Sequence, residues 1–303
     1  MALPGPTGPK VGNGAASPSM IILCADDYAM TEGISRAIGE LAAARRLSAT
    51  SVMVTSPHWP AAAARLLVHR PRLAIGLHLN LTLGRPAGPM LRLAPGDKFP
   101  DMRGLATRAL LGLLDGGEVR AEIERQLDRF EQGLGFAPDH IDGHQHAHVL
   151  PGVRGPLLET VARRYRGSAP LIRDPADRPG AILARRIAAS KALPVWALAL
   201  GFARAARRHG LPINDSFAGF SNFDVKQPYA EELACAFLQP GRRHLVMCHP
   251  GHPDAELAGI DPVVERRRME YDVLLRDPQL PERIWRPARS ADGPPVAWPE
   301  IGN

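Results

Sequence analysis

The sequence predicts one α/β domain in which repeated βα units surround a mainly parallel sheet. From Met20 onward, short apolar runs alternate with longer segments of helical periodicity. Five of the apolar runs end in Asp, His or Arg, which is typical of the edge of a parallel sheet where active sites are built. At 303 residues, the chain is long enough to bury a substantial core.

Six runs are predicted as strands because they are short, apolar and bounded by turn-forming residues. They are residues 20–25, 50–55, 73–81, 139–144, 170–173 and 243–249. Seven segments have a helical pattern: residues 31–46, 60–69, 117–133, 156–165, 185–209, 229–238 and 262–275. Thr31 is the expected N-cap of the first helix, and Pro60, Pro156 and Pro262 suit first-turn positions. Residues 84–114 and 174–187 are predicted to be long loops.

We expect a flexible leader at residues 1–19, a single domain at 20–280 and a Pro-rich tail at 281–303. The three cysteines form no Cys-x-x-Cys pair and no secretion signal is visible, which favours the cytoplasm. The longest apolar stretch, residues 192–206, is too short to span a bilayer. We expect the helical insertion at 185–209 either to cover the site or to form a homodimer contact.

The net charge of +6 and the pI near 9.6 raise the question of a nucleic-acid partner. Most of the arginines, however, lie in helical segments beside glutamates and aspartates. The densest runs, residues 162–166 and 266–272, are predicted to be solvated helix faces because no binding motif accompanies them. We therefore expect no nucleic-acid partner.

Four of the eleven histidines lie within residues 140–149, HIDGHQHAHV. On an extended chain, these histidines and Asp142 would all point to one face, since they occupy alternate positions. Several imidazoles cannot fit on one ion, and we expect the strand direction to change near Gly143. One or two histidines then lie at the centre of a metal site, where Asp142 and the others orient them. A solvated His-rich loop is the alternative.

Polar residues also follow the other predicted strands. These residues are Asp26, Asp27, His78, Arg173 and His249. Two imidazoles and one carboxylate form a ligand set that holds a divalent ion and leaves positions open for water and substrate. The strand ends therefore predict a catalytic metal site.

Four sequence blocks resemble the YdjC-like carbohydrate deacetylase family. They are CADDYAMTEGISRAI at residues 24–38, IGLHLNLT at 75–82, HIDGHQHAHVLPGV at 140–153 and MCHPGHPD at 247–254. The resemblance implies a deformed (β/α) barrel similar to that of NodB-type polysaccharide deacetylases. It also implies metal-dependent removal of acetyl groups from N-acetylated sugars.

The resemblance implies roles for four residues. Asp27, His78 and His144 would bind one divalent ion, Mg²⁺ or Zn²⁺, and Asp26 would be the general base. Ala29 stands where the family usually has glycine after the Asp-Asp-aromatic motif, which leaves open the form of the turn that follows the strand.

We assign the remaining polar residues from the chemistry that amide hydrolysis requires. His249 is the candidate general acid, because the departing amine needs a proton. Arg173 is a candidate for binding the substrate or its oxyanion, and Asp142 and His146 are expected to orient the metal ligands. Three alternatives stay open: Asp26 as a helix cap, His249 as a core histidine, and Arg173 paired with a carboxylate such as Asp174.

Two other functions compete with deacetylation. A metal-dependent phosphoesterase or other amidohydrolase on the same barrel would favour a second metal with bridging carboxylates. A non-catalytic metal- or sugar-binding protein would need neither Asp26 nor His249. Tyr28, Trp59 and Phe99 are candidate stacking surfaces for a sugar, and we expect a short oligosaccharide or a glycan headgroup as substrate.

Overall fold

Seven parallel strands form one sheet in the computed structural model, which describes residues 21–287, 289 and 296–299. The predicted leader, and residues 288, 290–295 and 300–303 of the predicted tail, lie outside these residues. The strands are β1 (Ile21–Tyr28), β2 (Ala49–Val52), β3 (Ala74–Leu79), β4 (His140–Gly143), β5 (Leu171–Ile172), β6 (Ser216–Ala218) and β7 (His244–Cys248). Their order across the sheet is β5-β4-β3-β2-β1-β7-β6.

The sheet curls until its two edges meet. A single parallel bridge joins Ile172 in β5 to Ile213, which lies just before β6, and the backbone N–H of Ile172 donates to the carbonyl oxygen of Pro212 at 2.8 Å. The sheet is therefore a deformed barrel that one bridge closes, and the predicted fold class is confirmed.

All six predicted strands are present, with ends that differ by up to three residues. The strand β6 was not predicted, because only three residues form it and polar residues precede it in the sequence INDSFAG, residues 213–219. A strand of this length carries too few alternations to be distinguished from a loop.

Twelve α-helices surround the described part of the barrel. They are α1 (Glu32–Ala43), α2 (Trp59–Leu66), α3 (Met102–Leu110), α4 (Gly116–Leu134), α5 (Arg154–Arg164), α6 (Pro179–Arg185), α7 (Ala189–Leu198), α8 (Phe202–Arg208), α9 (Tyr229–Ala236), α10 (Ala255–Ile260), α11 (Glu265–Arg276) and α12 (Leu280–Arg283). Among the described residues, each helix is either too short or too polar to traverse a bilayer.

Two loop predictions and one helix prediction were wrong. The predicted loop at residues 84–114 contains α3, whose N-cap Asp101 accepts a hydrogen bond from the backbone of Gly104, and the predicted loop at 174–187 contains α6. The predicted helix at 185–209 is broken, because Arg186, Ala188 and Gly201 adopt positive φ angles of 58°, 46° and 81°. Residues with positive φ end a right-handed helix, and the segment is therefore split among α6, α7 and α8.

Most helix starts agree with the sequence signals. The side-chain oxygen of Thr31 accepts from the backbone N–H of Ile34, as expected of an N-cap, and Pro60 lies in the first turn of α2. The exception is Pro262, which precedes the start of α11.

The interior of the barrel is filled by one face of each strand, while the opposite face packs on the helices. In β1, Ile22 and Cys24 belong to the inner cluster together with Trp285, Val296 and Trp298 from the end of the chain. Asp26 continues the parity of Ile22 and Cys24. Its carboxylate therefore lies inside the barrel at the carboxyl end of the strands.

Candidate metal and catalytic site

The two adjacent aspartates of β1 reach the same site because the strand is irregular there. Neighbouring residues of a regular strand point to opposite faces. The pairing of β1 with β2 shifts register between Ala25 and Tyr28, and Asp27 has a φ of 69°. Such a bulge re-aims a side chain, and Asp26 and Asp27 are both almost completely buried beside the barrel interior.

Asp27, His78 and His144 bring three donor atoms together. The Oδ1 atom of Asp27 lies 3.2 Å from Nε2 of His78 and 3.1 Å from Nδ1 of His144, and all three donor atoms lie within 4.8 Å of one another. Two atoms that bind one ion at about 2.1 Å, at right angles or tetrahedrally, lie roughly 3.0 to 3.4 Å apart. The geometry therefore fits one metal ion.

Asp142 orients His78. The two residues are register partners on β3 and β4, and Nδ1 of His78 lies 2.6 Å from Oδ1 of Asp142, which leaves Nε2 of the ring to face Asp27. Burial alone would lower the pKa of His78, but the carboxylates of Asp142 and Asp27 raise that pKa to about 10. The site therefore attracts positive charge, as a cation site must.

Arg173 is fully buried and contacts carboxylates on two strands. Its Nη1 and Nη2 atoms donate to the two oxygens of Asp26 at 2.6 and 2.7 Å, and Nη2 also lies 2.5 Å from Oδ2 of Asp142. Burial raises the pKa of Asp26, but Arg173 opposes this effect and the net pKa is lowered. Arg173 faces these two carboxylates and does not pair with Asp174, the partner that the alternative prediction named.

Arg267 is a site residue that the sequence analysis missed. The run at residues 266–272 was predicted to be a solvated face, but Arg266 and Arg267 are 1% and 2% exposed. Nη2 of Arg267 donates to Oδ2 of Asp27 at 2.7 Å and to Oδ2 of Asp261 at 2.6 Å. Arg267 therefore occupies the Asp27 oxygen that faces away from the histidines. A run of charges in the sequence gives no signal of which members turn inward.

His249 lies beside the aspartates at the end of β7. Its backbone N–H donates to Oε2 of Glu270 at 2.5 Å, and its half-buried ring packs edge-on against Phe223 with 5.4 Å between centroids. Burial lowers the pKa of His249, while Asp27 and Asp26 act in the opposite direction. The imidazole is thus within electrostatic reach of both aspartates.

The backbone leaves the extended conformation after Gly143, where β4 ends and Gln145 and His146 take positive φ angles. The histidines that follow therefore point in different directions. His146 was expected to orient a metal ligand, but its ring lies against Phe217 and Phe220, with centroids 5.8 and 5.3 Å away. The alternating pattern does not extend to His146, because the chain is no longer extended there.

The other two histidines of this segment lie deeper. Nε2 of His148 lies 2.8 Å from the carbonyl oxygen of Arg173, which fixes the backbone beneath the guanidinium. His140 lies 3.6 Å from the sulfur of Cys24. Both rings are completely buried, and they support the site from below.

The aromatic residues proposed for sugar stacking do not present free faces. Tyr28, Trp59 and Phe99 are each at most 4% exposed. Phe220 and Phe223 are half-buried beside His146 and His249. The sequence analysis missed them because one lies just after the unpredicted strand and the other follows it in the same loop.

A cleft of about 1030 Å³ opens beside the loops that follow β1, β2 and β3. Met30, Thr55 and Asn80 line it from those loops, and Arg85 and Glu256 add charged groups at its walls. A cleft of this size accommodates several sugar rings.

Known proteins are similar to this chain over most of its length. Residues 20–284 match the family model described as YdjC-like protein. A carbohydrate deacetylase from Mus musculus is 32% identical over 258 residues, which cover 79% of this chain and 80% of that protein. A chitooligosaccharide deacetylase from Yersinia pestis (strain Pestoides F) is 30% identical over 247 residues, covering 78% of this chain and 84% of that protein.

The fold is also similar to that of a solved structure. A protein from Enterococcus faecalis V583, named for cellobiose-phosphate cleavage, superposes with a TM-score of 0.68 at 22% identity. The superposition covers 88% of this chain and 94% of that chain. At this identity, the likeness concerns the fold alone.

Proposed function

This chain belongs to the YdjC-like protein family, and on that premise we propose that it is a metal-dependent hydrolase that removes acetyl groups from N-acetylated sugars. One observation carries the proposal: the donor atoms of Asp27, His78 and His144 converge at the distances of a single metal site. A second carboxylate, Asp26, lies next to this site, and Arg173 donates a hydrogen bond to each of its two oxygens.

When bound by the three ligands, the ion would polarise the acetyl oxygen of the substrate and activate a water molecule. Two of the three ligands are imidazoles, which favours Zn²⁺ or a similar transition ion over Mg²⁺, since Mg²⁺ prefers oxygen ligands. Arg267 donates to Oδ2 of Asp27 and leaves Oδ1 to face both histidines. Asp27 would therefore bind through one oxygen.

Asp26 is the proposed general base. Arg173 and Ser51 hydrogen-bond its carboxylate, and its lowered pKa keeps the carboxylate ionised and able to accept a proton from the attacking water at neutral pH. Arg173 acts here as a positioning residue, because it fixes Asp26 and Asp142 in one arrangement.

His249 is the proposed general acid for the departing amine. Its lowered pKa makes the protonated ring a strong proton donor. The packing of the ring on Phe223 restricts its orientation. On this assignment, the base and the acid come from neighbouring strands, since β1 pairs with β7.

The phosphoesterase alternative receives less support from the geometry. Two further groups of potential ligands, Asp26 with His78 and Asp142, and Cys24 with His140 and Asp142, lie near the first. Both include Asp142, which Arg173 already contacts, as it does Asp26. Because the guanidinium of Arg173 already neutralises these two carboxylates, they are poorly suited to bind a second metal ion.

The proposal is tested by incubating the metal-loaded protein with a panel of substrates and following released acetate and product mass. The panel contains N-acetylglucosamine, short chitooligosaccharides and, for comparison, phosphomonoesters. We expect the loss of one acetyl unit from a chitooligosaccharide and no release of phosphate. Prior treatment with a chelator should abolish the reaction, and added Zn²⁺ should restore it.

Three results would refute the proposal. Phosphate release without acetate release would favour the phosphoesterase. Deacetylation that continues at an unchanged rate after complete removal of metal would eliminate the metal from the mechanism. Sugar binding without any turnover, in protein whose metal content is verified, would identify a binding protein instead.

A further inference from the structure

The helix α7 is strongly apolar, yet it buries almost nothing. Of its ten residues only Ala192 is buried. Leu193, Val195 and Trp196 are partly exposed, and Leu200, which follows the helix, is 57% exposed. A helix of a globular protein normally packs its apolar residues on the core, and a cluster of exposed apolar side chains marks a binding surface.

The exposed charges of the segment that contains α7 have a single sign. Residues 178–209 contain seven basic residues and no Asp or Glu. Six of the basic residues are exposed: Arg178, Arg186, Lys191, Arg204, Arg207 and Arg208. Asp174 interacts electrostatically with Arg207, and Glu232 with Lys191, but both carboxylates are buried. The solvent-facing charge of this segment is therefore positive.

The helix lies at the rim of the candidate site. Near its start, Nζ of Lys191 donates to the carbonyl oxygen of Ser221 at 2.8 Å and lies 4.6 Å from the ring of Phe223, which packs on His249. Beyond its end, the carbonyl oxygen of Leu200 accepts from Arg154, the first residue of α5. Since α5 follows the turn that carries His144, α7 connects two sides of the site mouth.

A second apolar cluster lies close to this rim. Leu110, Leu111 and Leu113, at the end of α3, are each more than 60% exposed. The next residue, Leu114, approaches Gly152, which is two positions before Arg154. The exposed leucines therefore extend the apolar rim beyond α7.

We propose that α7, Leu200 and the exposed basic residues of segment 178–209, together called the α7 surface, dock on an anionic lipid bilayer. Partly exposed Trp and Leu beside basic residues are the composition of helices that lie in the membrane interface. Charge decides between this occupant and a second copy of the chain. Two α7 surfaces would bring like charges together, whereas an anionic headgroup layer neutralises them. The proposal is independent of the proposed deacetylation.

The test is co-sedimentation of the full chain with vesicles of phosphatidylglycerol and phosphatidylcholine, and with vesicles of phosphatidylcholine alone. We expect binding to the anionic vesicles that decreases with salt and is much weaker on the neutral ones. Leu200→Glu, and the triple variant Arg204→Glu, Arg207→Glu and Arg208→Glu, should each weaken binding more than about tenfold.

Matched controls come from the opposite end of the barrel. Val68→Glu introduces the same charge at an apolar position that is 75% exposed, against 57% for Leu200. A triple variant of Arg45, Arg72 and Arg276 to Glu makes the same change in net charge as the α7 triple variant. Both controls should bind more tightly than the matching α7 variants. A blue shift of tryptophan fluorescence on binding, absent in Trp196→Phe, would place α7 itself in the interface.

Three outcomes would overturn the proposal. The first is the absence of binding to either kind of vesicle by correctly folded protein, as judged by circular dichroism. The second is an equal loss of binding in the control variants. The third is a dimer in size-exclusion chromatography that Leu200→Glu dissociates while vesicle binding is absent, which would assign the surface to self-association.

Discussion

At the scale of single residues, the two adjacent aspartates of the site differ in the side chains that contact them. Asp27 contacts His78, His144 and Arg267, while Asp26 contacts Arg173 and Ser51. Burial raises the pKa of both carboxyls, but a neighbouring guanidinium together with side-chain hydrogen bonds and the nearby histidines outweighs burial, and both pKa values are lowered. The two ionised carboxylates therefore differ in their contacts: Asp27 lies against both histidines, and Asp26 is hydrogen-bonded by Arg173 and Ser51.

This difference predicts different results for neighbouring substitutions. Asp26→Asn should reduce kcat about 10²- to 10⁴-fold, because the proton acceptor is lost, and metal content should not change. Asp27→Asn, His78→Ala and His144→Ala should lose the metal as well. Acetate release and bound metal would be measured for each variant, with Asp97→Asn in an exposed loop as the control. Full turnover by Asp26→Asn would contradict its role as base.

Ala29 is strained in a way that the sequence indicated. Its φ is 72°, in the left-handed region that costs an L-residue about 1 kcal/mol and costs glycine nothing. The chain therefore keeps the backbone of the Asp-Asp-aromatic-Gly turn while carrying alanine. Its N–H donates to Oγ of Ser35, which helps to hold the turn.

We predict that Ala29→Gly stabilises the protein by roughly 0.5 to 1 kcal/mol, since the relief of strain outweighs the greater backbone entropy of glycine in the unfolded chain. The measurement is the free energy of unfolding in urea. Ala43→Gly, at an exposed position in α1, is the control and should lose up to about 1 kcal/mol. Equal losses in both variants would show that the turn carries no strain.

At the scale of secondary-structure elements, the sequence located six of the seven strands because each of the six is a short apolar run, and five of these runs end in Asp, His or Arg. The residues proposed to bind the metal stand out in the sequence for the same reason: His78 ends an apolar run, and Asp27 follows another. Two features could not be read from the sequence. The bulge that turns Asp27 depends on backbone angles, and the inward turn of Arg267 depends on the placement of α11 against β1.

The start of α1 packs tightly against the loop that precedes α10. A Cβ atom at Gly33 would lie 2.3 Å from the carbonyl oxygen of His252 and 2.5 Å from Oδ2 of Asp254. Asp254 also accepts hydrogen bonds from Thr31 and from the backbone of Leu257. One carboxylate thus ties the first turns of two helices together directly beside the strand end that carries Asp27.

Two glycines of the same helix should therefore respond in opposite directions to alanine. Gly33→Ala should destabilise the protein by about 1 to 3 kcal/mol, because backbone atoms must move apart. Gly39→Ala, whose Cβ would meet only His69 at 3.9 Å, should stabilise it by up to about 1 kcal/mol. Thermal unfolding of the two variants is the measurement. Equal changes in the unfolding temperature of the two variants would mean that the loop carrying Asp254 moves aside for the new Cβ atom at little cost.

At the scale of the whole molecule, some buried ionisable groups lower the stability of the fold as pH falls, and others lower it as pH rises. Burial lowers the pKa of both His148 and His244 to about 4. These rings stay neutral in the folded protein above about pH 4. Their contribution to stability is fully present above pH 6.5, the ordinary pKa of histidine in the unfolded chain, and is lost as pH falls from there to about 4. Glu270 acts in the opposite sense, because burial raises its pKa to about 7.

The sign of the Glu270 effect follows from proton uptake. Its unfolded pKa is near 4.5, so that between about pH 4.5 and 7 the folded protein holds a proton that the unfolded chain has released. Stability from this carboxyl is therefore fully present below about pH 4.5 and is lost as pH rises through 7, by roughly 3 kcal/mol in total. Glu270 is only 1% exposed, and solvent screening of this effect is small.

Glu270→Gln should remove this loss, since the amide is neutral at all these pH values and its oxygen can still accept from the backbone N–H of His249. Urea unfolding at several pH values from 5 to 8 would show the stability of the variant, relative to the unaltered protein, rising with pH by up to about 3 kcal/mol. Glu265→Gln, exposed on the same helix, should follow the unaltered protein. Parallel curves for all three proteins would mean that Glu270 ionises at its ordinary pKa in the fold, and that its contact with His249 is made by a carboxylate throughout.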